Sequence, residues 1–249
     1  MSNSKILIVT ILPALSMGSG AIADGKWTLG LIAAGETGYY VGEKDEIGLL
    51  PYISYETERF EVSLHDGLAY HVIKNEGPDG SAVQLSFLLT PRWEPHFGDD
   101  PIVNGLKRDT ALELGVSGIY EKDIFFVQTE ALADVSDTHS GYEASAVVGL
   151  QQDFGAFSLE GGIGARYRSS DLNRHLFGVS ATEANARRAA FNPGSSTTGF
   201  ASISAAYAIG ANTALVGDIS FEDFGKMEVS PLVDEGSNTS FALGLIHQF

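Results

Sequence analysis

The most regular pattern in the chain is the alternation at its carboxy terminus. From Thr239 to Phe249, apolar residues alternate with small or polar ones, and only Ile246 breaks the pattern. A period of two is typical of a β-strand, and about ten residues is the length that a tilted strand needs to cross a bilayer. The segment therefore predicts the closing strand of an outer-membrane barrel, with these outward positions: Phe241, Leu243, Leu245, His247 and Phe249.

Similar alternating segments recur along the chain and are separated by two kinds of connection. Short connections predict hairpin turns, and they lie at Glu56–Glu58, Glu121–Asp123, Asp153–Gly155 and Gly210–Asn212. Longer polar connections lie near Gly35–Ile47, Lys74–Ser81, Gly98–Lys107, Asp134–Gly141, Ser169–Thr198 and Gly225–Asn238. Short periplasmic turns and long outer loops are typical of bacterial outer-membrane barrels.

The strand count depends on how Pro91 is interpreted. If Leu85–Thr90 and Arg92–Phe97 are two strands joined by a turn at Pro91, the total is about twelve, an even number as this class requires. If they form one strand, the parity fails and ten strands is the fallback. We predict an all-β, antiparallel up-and-down transmembrane barrel of about twelve strands.

Parity within each strand predicts which side chains face the lumen. In Phe157–Arg168 the odd positions are apolar or small, so Glu160, Arg166 and Arg168 are expected to point inward. The same reasoning predicts a mostly acidic charged interior composed of Glu113, Glu130, Glu143, Glu160, Arg166, Arg168, Asp218 and Glu222. Such a lumen could be hydrated and held by ordinary ion pairs, or it could form a selective pore.

The amino terminus predicts export. Lys5 precedes an apolar run from Ile6 to Leu15, and Ala21-Ile22-Ala23 resembles a cleavage site, so residues 1–23 are expected to be a signal peptide and 24–249 a single barrel domain. The chain contains no cysteine, and its net charge of −17 becomes −18 without Lys5. This charge argues against nucleic acid as a partner. We expect an integral outer-membrane protein of a Gram-negative bacterium.

Two further segments invite a local interpretation. Thr182–Ala190 has a helix-forming composition with Thr182 as a plausible cap, which predicts a short helix in the largest loop. Gly161-Gly162-Ile163-Gly164 lies within an alternating strand, so it is not a phosphate-binding loop, and its glycines are expected to permit curvature.

Two polar clusters are candidate chemical sites. His139 and Ser140 lie among Asp134, Asp137 and Glu143, a composition that a hydrolase would need, but a solvated loop is the favoured interpretation. A cation site could involve Glu94, His96, Asp99 and Asp100, although their spacing fits no calcium loop and prolines flank them. We therefore predict no catalytic residue, no cofactor and no metal site.

Four segments together resemble the MipA/OmpV family of outer-membrane proteins. They are Tyr39–Gly42, Leu50–Tyr55, His175–Ser180 with Glu183-Ala184 behind it, and Ser230–Val233. The chain departs from the usual pattern at Leu176, Phe177 and His247. The resemblance implies a non-enzymatic scaffold for enzymes of peptidoglycan (murein) synthesis and remodelling. Its implied partners are a lytic transglycosylase and a murein synthase, besides outer-membrane lipid and lipopolysaccharide.

Two other functions stay open at the level of sequence. An acidic lumen could make the barrel a narrow pore that prefers cations. The long connection Ser169–Thr198 could instead make it a surface adhesin or antigen.

Overall fold

The computed structural model describes residues 25–95, 97–98 and 100–249. In this part of the chain, twelve antiparallel strands form a closed barrel. Each strand pairs with its neighbour in sequence, and β1 pairs with β12 from Thr28↔Gln248 to Glu36↔Ser240. The described residues include no helix with the length and apolar character of a membrane span. The predicted signal peptide, residues 1–23, lies outside the described residues.

The strands differ greatly in length. Their bounds are β1 Lys26–Glu36, β2 Glu46–Glu56, β3 Phe60–Ser63, β4 Gly67–Glu76, β5 Ala82–Arg92, β6 Ala111–Lys122, β7 Phe125–Asp134, β8 Tyr142–Phe154, β9 Phe157–Arg168, β10 Ser196–Ala208, β11 Thr213–Asp223 and β12 Ser237–Gln248. The connections include the α-helix α1 (Ser170–Phe177) and a 3-10 helix, Gly225–Val229.

Short and long connections lie at opposite ends of the barrel. We call one end the turn end, where residues 57–59, 77–81, 123–124, 155–156 and 209–212 connect strands near the start of β1 and the end of β12. The other is the loop end, reached by residues 37–45, 93–110, 135–141, 169–195 and 224–236. In outer-membrane barrels the short turns are periplasmic, so the loop end is expected to face outward.

The predicted count of twelve strands is confirmed, but the predicted position of one hairpin is wrong. Pro91 lies inside β5 and makes no turn. The additional hairpin lies earlier, where residues 64–66 separate β3 from β4. As a result, the connection predicted at Lys74–Ser81 belongs to the turn end, and Lys122 there forms a 2.8 Å ion pair with Asp79.

The helix predicted at Thr182–Ala190 is also misplaced. That segment forms turns and isolated bridges. The helix is α1, where the side chain of Ser169 accepts a hydrogen bond from the backbone N–H of Leu172 and Asp171 lies in the first turn. An N-cap and an acidic first turn stabilise a helix start. The buried residues Leu172 and Phe177 anchor α1 to the protein, which the alanine-rich segment cannot do.

Beside charged residues such as Glu160, part of the lumen toward the turn end is lined by apolar side chains. One cluster contains Ile32, Ala34, Tyr52, Ala206, Ala214, Val216 and Ile246. Ile246, the residue that breaks the terminal alternation, belongs to this inner core. A second cluster consists of Phe126, Val147 and Phe200. A Cβ at Gly164 would lie 2.5 Å from the Phe200 ring, so this glycine leaves room for the ring.

Candidate functional site

The loop end is covered by a dome of packed loops. We use this name for the cluster of Tyr40, Val103, Leu106, Phe177, Val179, Phe224, Met227 and Leu232. These residues come from four different connections. The Tyr40 hydroxyl donates to the carbonyl oxygen of Leu176 at 3.0 Å, and the Ser230 hydroxyl donates to that of Phe177 at 2.6 Å. Burial raises the pKa of the Tyr40 hydroxyl well above its usual value, so this side chain acts as a neutral donor.

Two arginines hold the dome's backbone. Arg108 donates to the carbonyl oxygens of His175 at 2.8 Å and Gly178 at 2.9 Å, and its other nitrogen contacts the Glu183 carboxylate at 2.7 Å. Arg188 donates to the carbonyl oxygen of Glu183 at 2.7 Å. Burial alone would raise the pKa of Glu183, but hydrogen bonds from Arg108 and Ser180 outweigh it and lower the pKa to about 2. Glu183 therefore stays ionised at moderately acid pH, and its contact with Arg108 persists.

Below the dome, charged side chains from five strands form an ion-pair network. Arg168 contacts Glu143 at 2.9 Å and Glu222 at 2.6 Å. Arg166 pairs with the same two carboxylates. On the far side, Arg92 contacts Glu113 at 2.8 Å and Glu143 at 3.5 Å. Three arginines face three glutamates, so the network is close to neutral and mainly ties strands together.

Five of the eight charged residues expected in the lumen lie in this network, and three do not. Asp218 accepts a hydrogen bond from Ser204 at 2.7 Å, and Glu160 is buried nearer the turn end. Glu130 is half-buried on β7. The sequence reasoning missed Arg92, because a turn at Pro91 would have removed it from the parity of β5. Continuing β5 through Pro91 would have put Arg92 on the same face as Ser86 and Thr90.

The predicted outward residues of the last strand lie on the barrel exterior. Phe241, Leu243, Leu245 and Phe249 are exposed apolar side chains. His247 is also exposed, and its Nδ1 lies 2.8 Å from the Thr213 hydroxyl. Exposed leucines, valines and phenylalanines recur around the wall, as expected of a surface that contacts lipid.

The cluster around His139 does not assemble a serine–histidine pair. The Nε2 atom of His139 lies 3.2 Å from the Glu113 carboxylate inside the barrel, and its Nδ1 accepts from the backbone N–H of Gly141. The Ser140 hydroxyl is exposed and donates to Asp137. A general base must reach its nucleophile, which this arrangement does not permit. Asp134 accepts backbone hydrogen bonds from His139 and Ser140 and orders the turn.

The candidate cation site cannot be assembled from described residues, because His96 and Asp99 lie outside them. Among the residues that are described, no group of three or more His, Cys, Asp or Glu side chains could hold a metal ion.

A small cavity remains between the network and the dome. Its volume is about 120 Å³, and its lining includes Arg92, Arg168, Glu222, Phe177 and Phe224. Pockets for small molecules usually occupy about 300–1,000 Å³. The cavity is therefore small for an organic ligand, and the filled lumen above and below it does not favour an open diffusion pore.

Comparison with known proteins identifies the family. Residues 29–249 match the family model described as MltA-interacting protein MipA. The chain belongs to this family. Among curated relatives, the MltA-interacting protein of Escherichia coli K12 is 24% identical over 257 residues and covers 100% of both chains. Outer membrane protein OmpV of Vibrio cholerae is 29% identical over 173 residues, 69% of this chain and 66% of OmpV.

Solved structures similar to this one are outer-membrane barrels with low sequence identity. The channel DcaP of Acinetobacter baumannii gives a TM-score of 0.44 at 10% identity, over 91% of this chain and 96% of that one. OprB of Pseudomonas putida gives 0.40 at 10% identity, over 82% of this chain and 59% of OprB. This member of the MipA family is an integral outer-membrane β-barrel, and its family and fold are non-enzymatic in kind.

Proposed function

We propose that this barrel is a membrane-anchored scaffold that holds a lytic transglycosylase, and through it murein synthesis, at the inner face of the outer membrane. The observation that carries the proposal is the family match, together with a full-length relative named for its interaction with MltA. The filled lumen supports the same proposal, because it leaves the outer surfaces of the barrel for function.

The turn end is the surface that a periplasmic partner can reach. Twelve strands about 4.8 Å apart and tilted about 40° give a barrel about 24 Å across, or about 34 Å with side chains, so its end presents on the order of 900 Å². A standard interface needs about 800 Å² from each partner. The turn end is thus large enough for one stable contact, although each turn is short.

The charges on the turn end suggest how a partner would be recognised. Exposed side chains of both signs lie on adjacent turns, including Glu58 and Arg59 after β2 and the ion pair of Asp79 with Lys122. Hydrogen bonds from Lys122 and then Ser81 lower the pKa of the Asp79 carboxyl to about 2. Asp79 therefore stays charged across the physiological range, and the contact of this charged surface with a partner should weaken as salt increases.

The decisive experiment measures binding between purified components. The barrel in lipid nanodiscs is titrated with a soluble lytic transglycosylase of the MltA type, and an unrelated barrel of similar size is the control. The proposal expects saturable binding that weakens when Arg59→Glu and Lys122→Glu are combined, while Arg174→Glu at the loop end leaves binding unchanged. Equal binding to both barrels would overturn the proposal.

The surface-binder alternative stays a prediction. The loop end is a packed dome rather than a set of extended loops, so an adhesin of this design would use a preformed surface. Deleting residues 181–190 and scoring cell attachment, with barrel assembly as the control, addresses this alternative directly.

A further inference from the structure

One section of the barrel wall is incomplete. β2 pairs with β1 along its full length, from Glu46↔Glu36 to Glu56↔Lys26. On its other side it pairs with β3 only at Ser54↔Ser63, Tyr55↔Val62 and Glu56↔Glu61. β3 has four residues, so the turn that follows it lies partway up the wall. Above this turn, no described strand pairs with the free edge of β2.

The backbone groups on this free edge can be identified. The carbonyl oxygen of Ile53 accepts from the N–H of Leu64 at 3.0 Å, and that of Pro51 lies 3.0 Å from the Nε2 of His65. Both carbonyls therefore face the side of β3. Alternate residues of a strand direct their N–H and C=O groups to the same side, so Leu49 and Ile47 also face it. Within the described chain, no residue bonds to Leu49 or Ile47 on that side.

Prolines lie on both borders of the gap. Pro51 is on the free edge of β2. Across the gap, a Cβ at Gly67 would lie 2.2 Å from the carbonyl oxygen of Leu89, so Leu89 faces β4 and, by alternation, Pro91 faces the same side. β4 ends its pairing with β5 at Leu68↔Leu89, below Pro91. Proline lacks an N–H and is found on strand edges for that reason. Both prolines thus mark edges without a strand partner.

The gap is closed above by two loops. A Cβ at Gly98 would lie 2.1 Å from the carbonyl carbon of Gly42, so the β1–β2 and β5–β6 connections touch there. The opening is therefore a window, which we call the side window. Its borders are residues 47–51 of β2, the turn 64–66, the end of β5 at Thr90–Arg92, and the contact of Gly42 with Gly98.

We propose that the side window receives an extended segment of another polypeptide, which adds as a strand to the free edge of β2 at Ile47 and Leu49. Lipid tails offer neither donors nor acceptors, and unpaired backbone groups in the bilayer cost several kcal/mol each. A strand supplies both groups. A second intact barrel fits poorly, because its own wall strands are already paired, whereas a free extended segment has unpaired backbone groups along its edge.

The side chains around the edge define the chemistry of this segment. Ile47 is 72% and Leu49 65% exposed on the outer face, and Leu64 below them is 53% exposed. A segment of about five residues spans the edge at about 3.4 Å per residue. Its outward positions are apolar, to continue the lipid-facing surface. The inference is independent of the murein-enzyme scaffold, whose partner is placed at the turn end.

Hydrogen exchange at the backbone N–H groups of Ile47 and Leu49 tests the proposal. The full-length mature barrel in nanodiscs is compared with and without an acetylated seven-residue peptide of alternating Val and Thr. Without peptide, both amides are expected to exchange at least tenfold faster than Ile163 in β9. Adding the peptide should slow both and leave Ile163 unchanged. A peptide that is N-methylated at alternate residues cannot donate and should protect neither amide.

Two variants separate strand addition from general lipid or detergent coverage. Leu49→Ala keeps the backbone and should retain protection of both amides by the peptide. Leu49→Pro removes the donor at position 49, and the remaining Ile47 amide should lose its protection. If both amides are already protected without peptide, the edge is covered by the barrel or by lipid and the proposal is overturned. Protection by the N-methylated peptide, or no protection by either peptide, also overturns it.

Discussion

The two sides of the barrel wall are built differently. On the long side, formed by β8, β9 and β10, every residue of β9 pairs with both neighbours, and the inner face carries Glu143, Arg166 and Arg168 in the ion-pair network. On the short side, formed by β2, β3 and β4, β3 has four residues, and the inner face carries Ser54, Ser63 and His71. The contrast shows that a barrel can close with a local gap when the loops above it are joined.

The largest expected difference between the two sides comes from proline. Ile163→Pro on the long side removes an N–H from a residue paired with Val148 on one side and Ala201 on the other. We expect this variant to fail to assemble, since proline within a central strand is excluded from ladders. Leu49→Pro on the short side should fold, because its N–H faces the side window. Heat-modifiable migration on gels reports assembly of each variant.

The matched substitutions Ile163→Ala and Leu49→Ala control for the loss of side chain, and both should assemble. The comparison fails if Leu49→Pro also prevents assembly, because that result would show that the free edge of β2 is paired in the membrane.

These differences also explain what could be predicted from sequence. Long strands such as β9 and β12 show enough alternation to identify their inner and outer faces. The long hairpins and the number of strands could therefore be predicted from the sequence. β3 is too short to show a period, so the sequence does not separate it from β4. Sequence alone also does not distinguish a proline in a turn, as predicted for Pro91, from one on a strand edge. The alternation of inward and outward positions predicts part of the ion-pair network. The dome cannot be predicted in this way, because it depends on contacts between distant loops, such as that of Tyr40 with Leu176.

Removing one charge from the long side is expected to lower the free energy of unfolding. Arg168→Gln breaks the contacts with Glu143 and Glu222. Arg166 remains as a partner of both carboxylates, and Arg92 as a further partner of Glu143. Breaking a buried pair costs about 3–5 kcal/mol, and we expect the lower end of that range because of the remaining arginines. Equilibrium unfolding in denaturant from lipid vesicles measures this loss.

Lys122→Gln is the matched control for the removal of a charge, because its pair with Asp79 is exposed at the turn end. Exposed pairs contribute little to stability. The double variant Arg168→Gln with Glu222→Gln should be more stable than Arg168→Gln alone, since it removes one of the two stranded carboxylates. A loss as small as that of Lys122→Gln would mean that water, rather than arginine, stabilises these carboxylates.

The third prediction concerns pH at the junction of the long side with the dome. Burial, then the nearby His139 and Arg108, lowers the pKa of His175 on α1 from 6.5 to about 4. As pH falls from about 6.5 to about 4, the unfolded loop binds a proton that the packed loop does not, so stability of the dome decreases over this window. Hydrogen exchange in α1 should accelerate as pH falls, after correction for the intrinsic rate.

Other charged groups also affect the two neighbouring rings of His139 and His175. Glu113 lies beside His139, and the charges of Arg92 and Asp134 influence the pKa of His175. The informative variant is therefore His175→Gln. It removes the titrating group and should flatten the pH dependence of exchange in α1. The half-buried His65, in the turn between β3 and β4, serves as the control, and His65→Gln should leave that dependence unchanged. A dependence that persists in His175→Gln would assign the effect to another group.

The smallest expected effect comes from removing a single neutral hydrogen bond. It tests whether the short side is itself less stable than the long side or only lacks its charged groups. Ser86→Ala removes the 2.9 Å contact between the Ser86 hydroxyl and Nδ1 of the buried His71. A neutral hydrogen bond contributes about 1 kcal/mol. Ser240→Ala, which removes a 2.7 Å contact with Ser220 in the fully paired part of the wall, is the matched substitution. Equal losses of unfolding free energy would place the difference between the two sides in strand pairing and charge alone. A clearly larger loss for Ser86→Ala would show that hydrogen bonds inside the short side compensate for its missing ladder, and that β4 and β5 depend on them to keep the side window from widening.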